Sequence, residues 1–282
     1  GFTFPLCDGR LLPATAGPYG HLVLAHWLHR LAALALAGHV LALALRARRL
    51  DPAGRPARLA YLACGLTALQ VALEAARVGG RIIRDRFAGE KQVTQKAWAN
   101  VVTDVDIQSN EAILKLLRQE FPSFGRLSEE AEMEQAQSPY LGVVDPLDGT
   151  RNYASGIPHV CVVVALAYQR QVVLGVTYDP FREEAFTAEK GKGAFLNGRR
   201  LRVTPREELK ESVWGFDMGY VDEKGARALR MVLDLWPGMQ AIRVMGSSAL
   251  SLAYVAAGRL DIYFHHHLYP WDIASGLLLV EE

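Results

Sequence analysis

Two aspartates stand three residues apart in the string Asp145-Pro146-Leu147-Asp148-Gly149-Thr150, directly after the apolar run of residues 141–144. Carboxylates placed so at the end of a strand, with a proline and a glycine fixing the turn, suit a shared hard cation. Mg²⁺ prefers oxygen ligands and keeps waters that a substrate can displace. Gly149 and Thr150 follow where a helix would start, and backbone N–H groups there favour an anion. A carboxylate cage beside an N–H cradle suits metal-assisted phosphoryl chemistry. Asp, Pro and Gly also favour turns for reasons of their own, so the string alone also reads as a surface turn. Two more clusters weigh toward metal. One is Leu127-Ser128-Glu129-Glu130. The other is Pro270-Trp271-Asp272-Ile273-Ala274-Ser275-Gly276, where Asp272 begins an apolar helix and would equally serve as its N-cap.

The elements that must carry these groups follow from hydrophobic spacing. Leu69, Ala72, Ala76, Gly80, Ile83 and Phe87 recur at steps of three and four, with Arg77, Arg81, Arg84 and Arg86 at other positions. This predicts an amphipathic helix. Residues 100–107 (NVVTDVDI) read as a short strand or loop ending in acids, and residues 110–117 as a helix stopped at Phe121-Pro122. Residues 160–166 and 172–178 predict a hairpin of buried strands, with Cys161 in the core. Residues 260–264 predict a strand leading into His265-His266-His267. A triple histidine can mark a transition-metal site, but a strand would turn successive rings to alternate faces.

Composition narrows the class. The chain has 282 residues, 50% hydrophobic and 22% charged, with a net charge of +1. That is too apolar for a disordered chain and too balanced for a polyanion binder. Three cysteines (Cys7, Cys64, Cys161) lie far apart, so neither a disulfide framework nor a cysteine zinc site is indicated. There is no P-loop, no dinucleotide fingerprint and no basic patch interleaved with aromatics, so no nucleic-acid partner is expected. The average conceals an asymmetry. Residues 1–60 carry seven Arg and two acids, a charge of +5; the remainder carries 24 basic and 28 acidic residues, a charge of −4.

The basic end has a membrane-like character. Residues 21–45 (HLVLAHWLHRLAALALAGHVLALAL) exceed the roughly 20 apolar residues that span a bilayer core. Arg46, Arg48, Arg49, Arg55 and Arg58 follow, rather than precede, this run, so it is not a signal peptide, and they would lie on the cytoplasmic side. A second run, residues 59–73, is short enough to be a span or a buried helix. One or two hydrophobic, membrane-spanning helices are therefore expected. The single-span arrangement is favoured, because the second run merges into the amphipathic helix that follows. It places the acidic part in the cytoplasm, membrane-associated through the N-terminus. The strings PLCDGRLLP, HWLHRLAAL and ARLAYLACGLTALQVAL resemble part of a haem A synthase, which makes residues 1–68 a fragment of that kind.

The rest of the chain, 69–282, resembles the inositol monophosphatase family. The likeness rests on NVVTDVD, SEE, VVDPLDGTRNYASGIP, GVTYDPFREEAFTAEKGKGAFLNGRRLRVT, GSSALSLAYVAAGRLDIYF and PWDIASG. It implies a layered α/β/α/β sugar-phosphatase-like fold and a Mg²⁺-dependent phosphomonoesterase of the inositol 1-phosphate type, with two or three ions. It implies Glu129, Asp145, Asp148, Asp272 and the Leu147 carbonyl as metal ligands. Glu129, Thr150 and Asp106 would be catalytic, Asp106 supporting Thr150 as it orients the attacking water. Gly149 and Thr150 would hold phosphate by their N–H groups. Lys96 would be a loop lysine near the site, and Gly246, Ser247 and Ser248 would contact the alcohol part of a small phosphorylated polyol or sugar. A homodimer is compatible with it. Related sugar, histidinol or 3′-phosphonucleotide phosphatases are alternatives, as is an impaired fusion with the haem A synthase-like fragment.

Three departures stand out. His265 replaces a Glu that binds sugar hydroxyls in inositol-specific members, which points to an altered substrate preference. Arg151 follows Thr150 where many relatives carry a small or neutral residue. The chain also stops at Glu282 where relatives continue, so the domain is expected to be incomplete at its C-terminus.

Overall fold

The computed structural model describes residues 55–97 and 100–282, with the backbone alone over 55–64. The apolar run 21–45 and the histidines within it lie outside the described residues. The chain divides at Ala68/Leu69 into two units, and the following concerns the second, Leu69–Glu282. Among the described residues no helix is long and apolar enough to cross a membrane. The second apolar run is instead continuous with the amphipathic segment in one helix, α1 (Arg55–Arg86). Its buried positions Ala72, Ala75, Ala76 and Ile83 keep the spacing of a single helical face.

A hairpin of β1 (Val93–Ala97) and β2 (Asn100–Thr103) leads into α2 (Asp104–Glu120). This helix starts six residues before the expected 110–117. Thr103 acts as N-cap, and Asp106 at the third helical position accepts the Thr103 N–H at 2.8 Å, a capping box. The acids that closed the expected strand are thus the first turn of a helix.

The main sheet has eight strands: β3 (Gly125–Ser128), β4 (Ala131–Glu134), β5 (Tyr140–Asp148), β6 (Cys161–Tyr168), β7 (Gln171–Asp179), β8 (Glu184–Glu189), β9 (Gly193–Leu196) and β10 (Arg199–Arg200). Their spatial order is β10-β9-β8-β7-β6-β5-β3-β4. Only β3 and β5 run parallel; the expected hairpin is the antiparallel β6–β7 pair. Strand β6 reads CVVVALAY because both faces of the sheet are covered. Neighbouring residues of β7 show how. The Thr177 hydroxyl donates to Ser275 Oγ at 2.9 Å on one side, while Tyr178 lies against Gly80 of α1 on the other.

Beyond the sheet's second face lie α5 (Ser248–Ala256) and α6 (Pro270–Glu281), and between them in sequence β13 (Ile262–Phe264). It joins β11 (Val213–Phe216) and β12 (Ala241–Arg243) in a small parallel sheet of order β12-β11-β13. Helix α4 (Asp222–Leu235) covers this sheet, setting Ala228 and Val232 on Phe216. A five-residue helix, α3 (Thr150–Ala154), follows β5. The alternation of helices, large sheet, helices and small sheet is the α/β layering that the resemblance implied.

The two inner helices approach closely because one residue lacks a side chain. A Cβ on Gly276 would lie 2.5 Å from Leu252 Cβ and 2.6 Å from its Cδ1. Gly276→Val is expected to destabilise the domain by roughly 1–3 kcal/mol through overpacking. The shift in urea midpoint would check this, and an unchanged midpoint would refute it.

Candidate active site

Asp145, Asp148 and Asp272 each bring a carboxylate oxygen within 4.8 Å of the other two. In an ideal strand, residues 145 and 148 would face opposite ways. The β5–β6 register slips between Asp145 and Asp148, which turns both carboxylates to one side. Asp145 Oδ1 accepts the Leu147 N–H at 3.0 Å, an Asx-type turn that holds the bend. Asp148 Oδ2 accepts the Ala249 N–H at 3.0 Å and the Ser247 hydroxyl, so the start of α5 fixes it. Asp272 arrives from α6. It is not the N-cap of that helix. Tyr269 is, with Pro270 at the first helical position, and Asp272 in the third accepts the Tyr269 N–H at 2.6 Å. Proline there accompanies an N-cap three residues upstream of Asp272, which closes the cap with one oxygen while its carboxylate joins the cage.

The electrostatics are those of crowded, desolvated acids. Burial first, then the charges of Glu129, Asp148 and Asp272, raise the Asp145 carboxyl well above its ordinary range. Burial and Asp148 push Asp272 up to about 7. Glu129 stands outside the three-carboxylate group. Its side chain turns toward Lys96, whose Nζ is 3.4 Å away and also pairs with Glu130. Burial nevertheless lifts Glu129 to about 7 against the pull of Lys96, aided by Glu130, Asp272 and Asp106. Lys96 sits on β1 of the hairpin.

Thr150 lies beside the cage, 7% exposed. Its Oγ1 is 2.9 Å from Asp106 Oδ1 and 3.1 Å from the Leu147 carbonyl. Asp106 therefore has two tasks, closing the capping box with one oxygen and taking Thr150 with the other; burial raises it to about 6. Gly149 must be glycine. Its φ is +94°, and a Cβ would meet His159 O at 3.1 Å and Gly246 O at 3.2 Å.

The cage opens into a cleft of about 300 Å³ whose lining includes Gly246, Ser248 and His265. Ser247 is not part of that lining. It is 1% exposed and its hydroxyl holds Asp148, so the expected contact with substrate becomes support of a carboxylate. The histidine run forms no metal cluster among the described residues. His265 Nδ1 accepts the His267 N–H at 3.0 Å, and His267 Nδ1 lies 2.7 Å from Lys224 Nζ.

Three residues escaped the sequence reading: Asp217 and Tyr220, which line the cleft, and Tyr263, which bonds to Asp217. Asp217, 8% exposed, accepts the Gly246 N–H at 2.8 Å and the Tyr263 hydroxyl at 3.1 Å, fixing the loop before α5. An aspartate directly after the apolar string Val213–Phe216 was the available signal. With its proton on Asp217, the Tyr263 oxygen accepts from the Ser248 hydroxyl, 2.8 Å away. Tyr220 lies under Arg151, with the guanidinium carbon 4.5 Å from its ring centre. Nothing in its local sequence marked it.

The donor set fits a hard divalent cation. Three acids from two distant segments offer oxygen alone, and their mutual repulsion in a buried place calls for positive charge. The comparisons agree with this chemistry. The model of the inositol monophosphatase family matches residues 67–282. The chain belongs to the inositol monophosphatase family. It is thereby a phosphomonoester hydrolase. An inositol-1-monophosphatase of Caulobacter vibrioides is 37% identical, over 74% of this chain and 84% of its own. A protein named Nus factor SuhB from Xylella fastidiosa is 38% identical, over 76% of this chain and 79% of its own. Among solved structures, the extragenic suppressor protein SuhB of Bartonella henselae superposes with a TM-score of 0.74 at 37% identity, covering 77% of this chain and 84% of that one.

Proposed function

We propose that this chain hydrolyses phosphate monoesters of small polyols or sugars, of the inositol 1-phosphate type, with Mg²⁺ as cofactor. The observation that carries this reading is the convergence of Asp145, Asp148 and Asp272 at the floor of one cleft. These three would hold the metal, joined, as the family resemblance implies, by Glu129 and the Leu147 carbonyl. Bound there, the cation would supply charge to neutralise the phosphate dianion and acidity toward water.

The chain's own residues would do the rest. Thr150 Oγ1, once it donates to Asp106, keeps lone pairs free to accept a proton from the attacking water and so to aim its oxygen at phosphorus. Asp106 is anchored by Thr103 at its other oxygen, which keeps Thr150 from rotating away. The Gly149 and Thr150 N–H groups would meet the phosphate oxygens. Lys96, tied to Glu129 and Glu130, places a cation beside these two acids. Gly246 and Ser248 would face the alcohol.

A phosphate-release panel with and without Mg²⁺ tests the reading. It should contain inositol 1-phosphate, fructose 1,6-bisphosphate, histidinol phosphate and a 3′-phosphonucleotide. Release that requires Mg²⁺ and is abolished by chelation is expected; release indifferent to Mg²⁺, or none from any substrate, would defeat it.

A further inference from the structure

Protein donors hold the three carboxylates of the cage unequally. Asp145 Oδ1 accepts the Leu147 N–H at 3.0 Å, and Asp272 Oδ2 accepts the Tyr269 N–H at 2.6 Å. Three donors converge on Asp148 Oδ2: the Ala249 N–H at 3.0 Å, the Ser247 hydroxyl, and the Cys161 thiol at 3.6 Å. Two of these are side chains, and they come from separate elements.

Cys161 stands directly opposite Asp148 in the β5–β6 ladder, just past the register slip. Residues paired across a ladder share a face, which sets the thiol beside the carboxylate. It is wholly buried, and Ser247 Oγ lies 3.8 Å from the same sulfur. Ser247 is the N-cap of α5, where a serine hydroxyl ordinarily binds an N–H of the first turn. It makes no such bond here. Its hydroxyl turns to Asp148, and Asp148 takes the Ala249 N–H of that turn in its place.

A carboxylate oxygen offers about two lone-pair sites. Three donors fill them on Oδ2, and their protons face any cation that approaches it. Oδ1 is left for a metal. Divalent ions differ in what they need from such a group. Ca²⁺ gathers roughly six to eight oxygens and often takes a carboxylate by both, whereas Mg²⁺ holds to an octahedron and keeps several waters. We infer that Cys161 and Ser247 are positioning residues that restrict Asp148 to ligation through one oxygen, and so tune the cage to a small octahedral ion over a larger one. This inference rests on the Mg²⁺ reading above and extends it to the groups that set the choice of ion.

The rise in thermal midpoint of the full chain with added Mg²⁺ or Ca²⁺ gives a dissociation constant for each ion without any turnover. Ser247→Ala and Cys161→Ala each remove a donor; Ser247→Thr and Cys161→Ser keep one. Loss of a hydrogen bond that orients a metal ligand commonly changes affinity about 10- to 100-fold. Freed at Oδ2, Asp148 should favour the larger ion, so the ratio of the Ca²⁺ to the Mg²⁺ constant should fall roughly 10-fold in Ser247→Ala and further when both alanines are combined. Ser247→Thr and Cys161→Ser should stay near the wild-type ratio. A residue that served the fold alone would weaken both ions alike. A ratio within about twofold of wild type in both alanine variants would therefore overturn the inference while leaving the metal site intact. Should Ser247→Ala fail to fold in EDTA, Cys161→Ala against Cys161→Ser decides, with a lowered ratio expected in the alanine variant alone and equal ratios overturning the inference. Failure of the wild-type chain to bind Mg²⁺ would instead overturn the metal reading, and this inference with it.

Discussion

Asp145→Asn is expected to lower Mg²⁺-dependent phosphate release on the order of 10³-fold without unfolding the domain. Asp145 is 1% exposed at the end of β5, and asparagine has its shape. The amide oxygen can still accept the Leu147 N–H that fixes the bend. What disappears is the negative charge. Burial and three neighbouring acids already hold this carboxyl far above its ordinary pKa, so the charge opposes folding unless a cation balances it. The substitution should thus leave the thermal midpoint in EDTA unchanged or raise it, and weaken the rise that Mg²⁺ produces. The two readouts separate chemistry from stability. A rate within about tenfold of wild type would exclude Asp145 as a ligand, and a collapsed midpoint would make it a structural residue.

The second large effect concerns the hydroxyl beside the cage. Thr150→Val keeps the side-chain volume and removes Oγ1, leaving Asp106 Oδ1 and the Leu147 carbonyl without their shared partner. A group that orients the nucleophile contributes to the transition state more than to substrate binding. We expect kcat to fall about 10²- to 10⁴-fold, with KM changing little. Thr150→Ser restores the hydroxyl and should recover most of the rate. Near wild-type turnover for the valine variant would remove Thr150 from the mechanism. Asp106 is the less informative target. Its other oxygen closes the capping box of α2, so Asp106→Asn would cost stability as well as rate.

The difference between these two aspartates illustrates what could be read from the chain alone. Short-range chemistry was legible. Alternating and helical hydrophobic spacing located α1, the β6–β7 hairpin and β5, because burial of one face imposes a period on the sequence. The string Asp145–Thr150 announced its carboxylates, since proline and glycine restrict the backbone in any context. Boundaries shifted where a side chain competes for the backbone: Thr103 with Asp106 started α2 early, and Pro270 moved the start of α6 ahead of Asp272.

By itself, then, the sequence determined the metal-suited acids of Asp145–Thr150 through local spacing and residue type, and the family, with the layered α/β class it implies, through the resemblance its motifs carry. Only the tertiary structure decided which groups meet. Ser247 serves Asp148 and not a substrate, since the start of α5 docks on the end of β5. Asp217 holds the Gly246 loop across 29 residues of chain. Lys224, in the first turn of α4, meets Nδ1 of a histidine 43 residues away, and the Arg151 guanidinium stacks on Tyr220. These partnerships join segments remote in sequence. They depend on how the small sheet sits over the large one, a packing of faces that no local window of residues encodes.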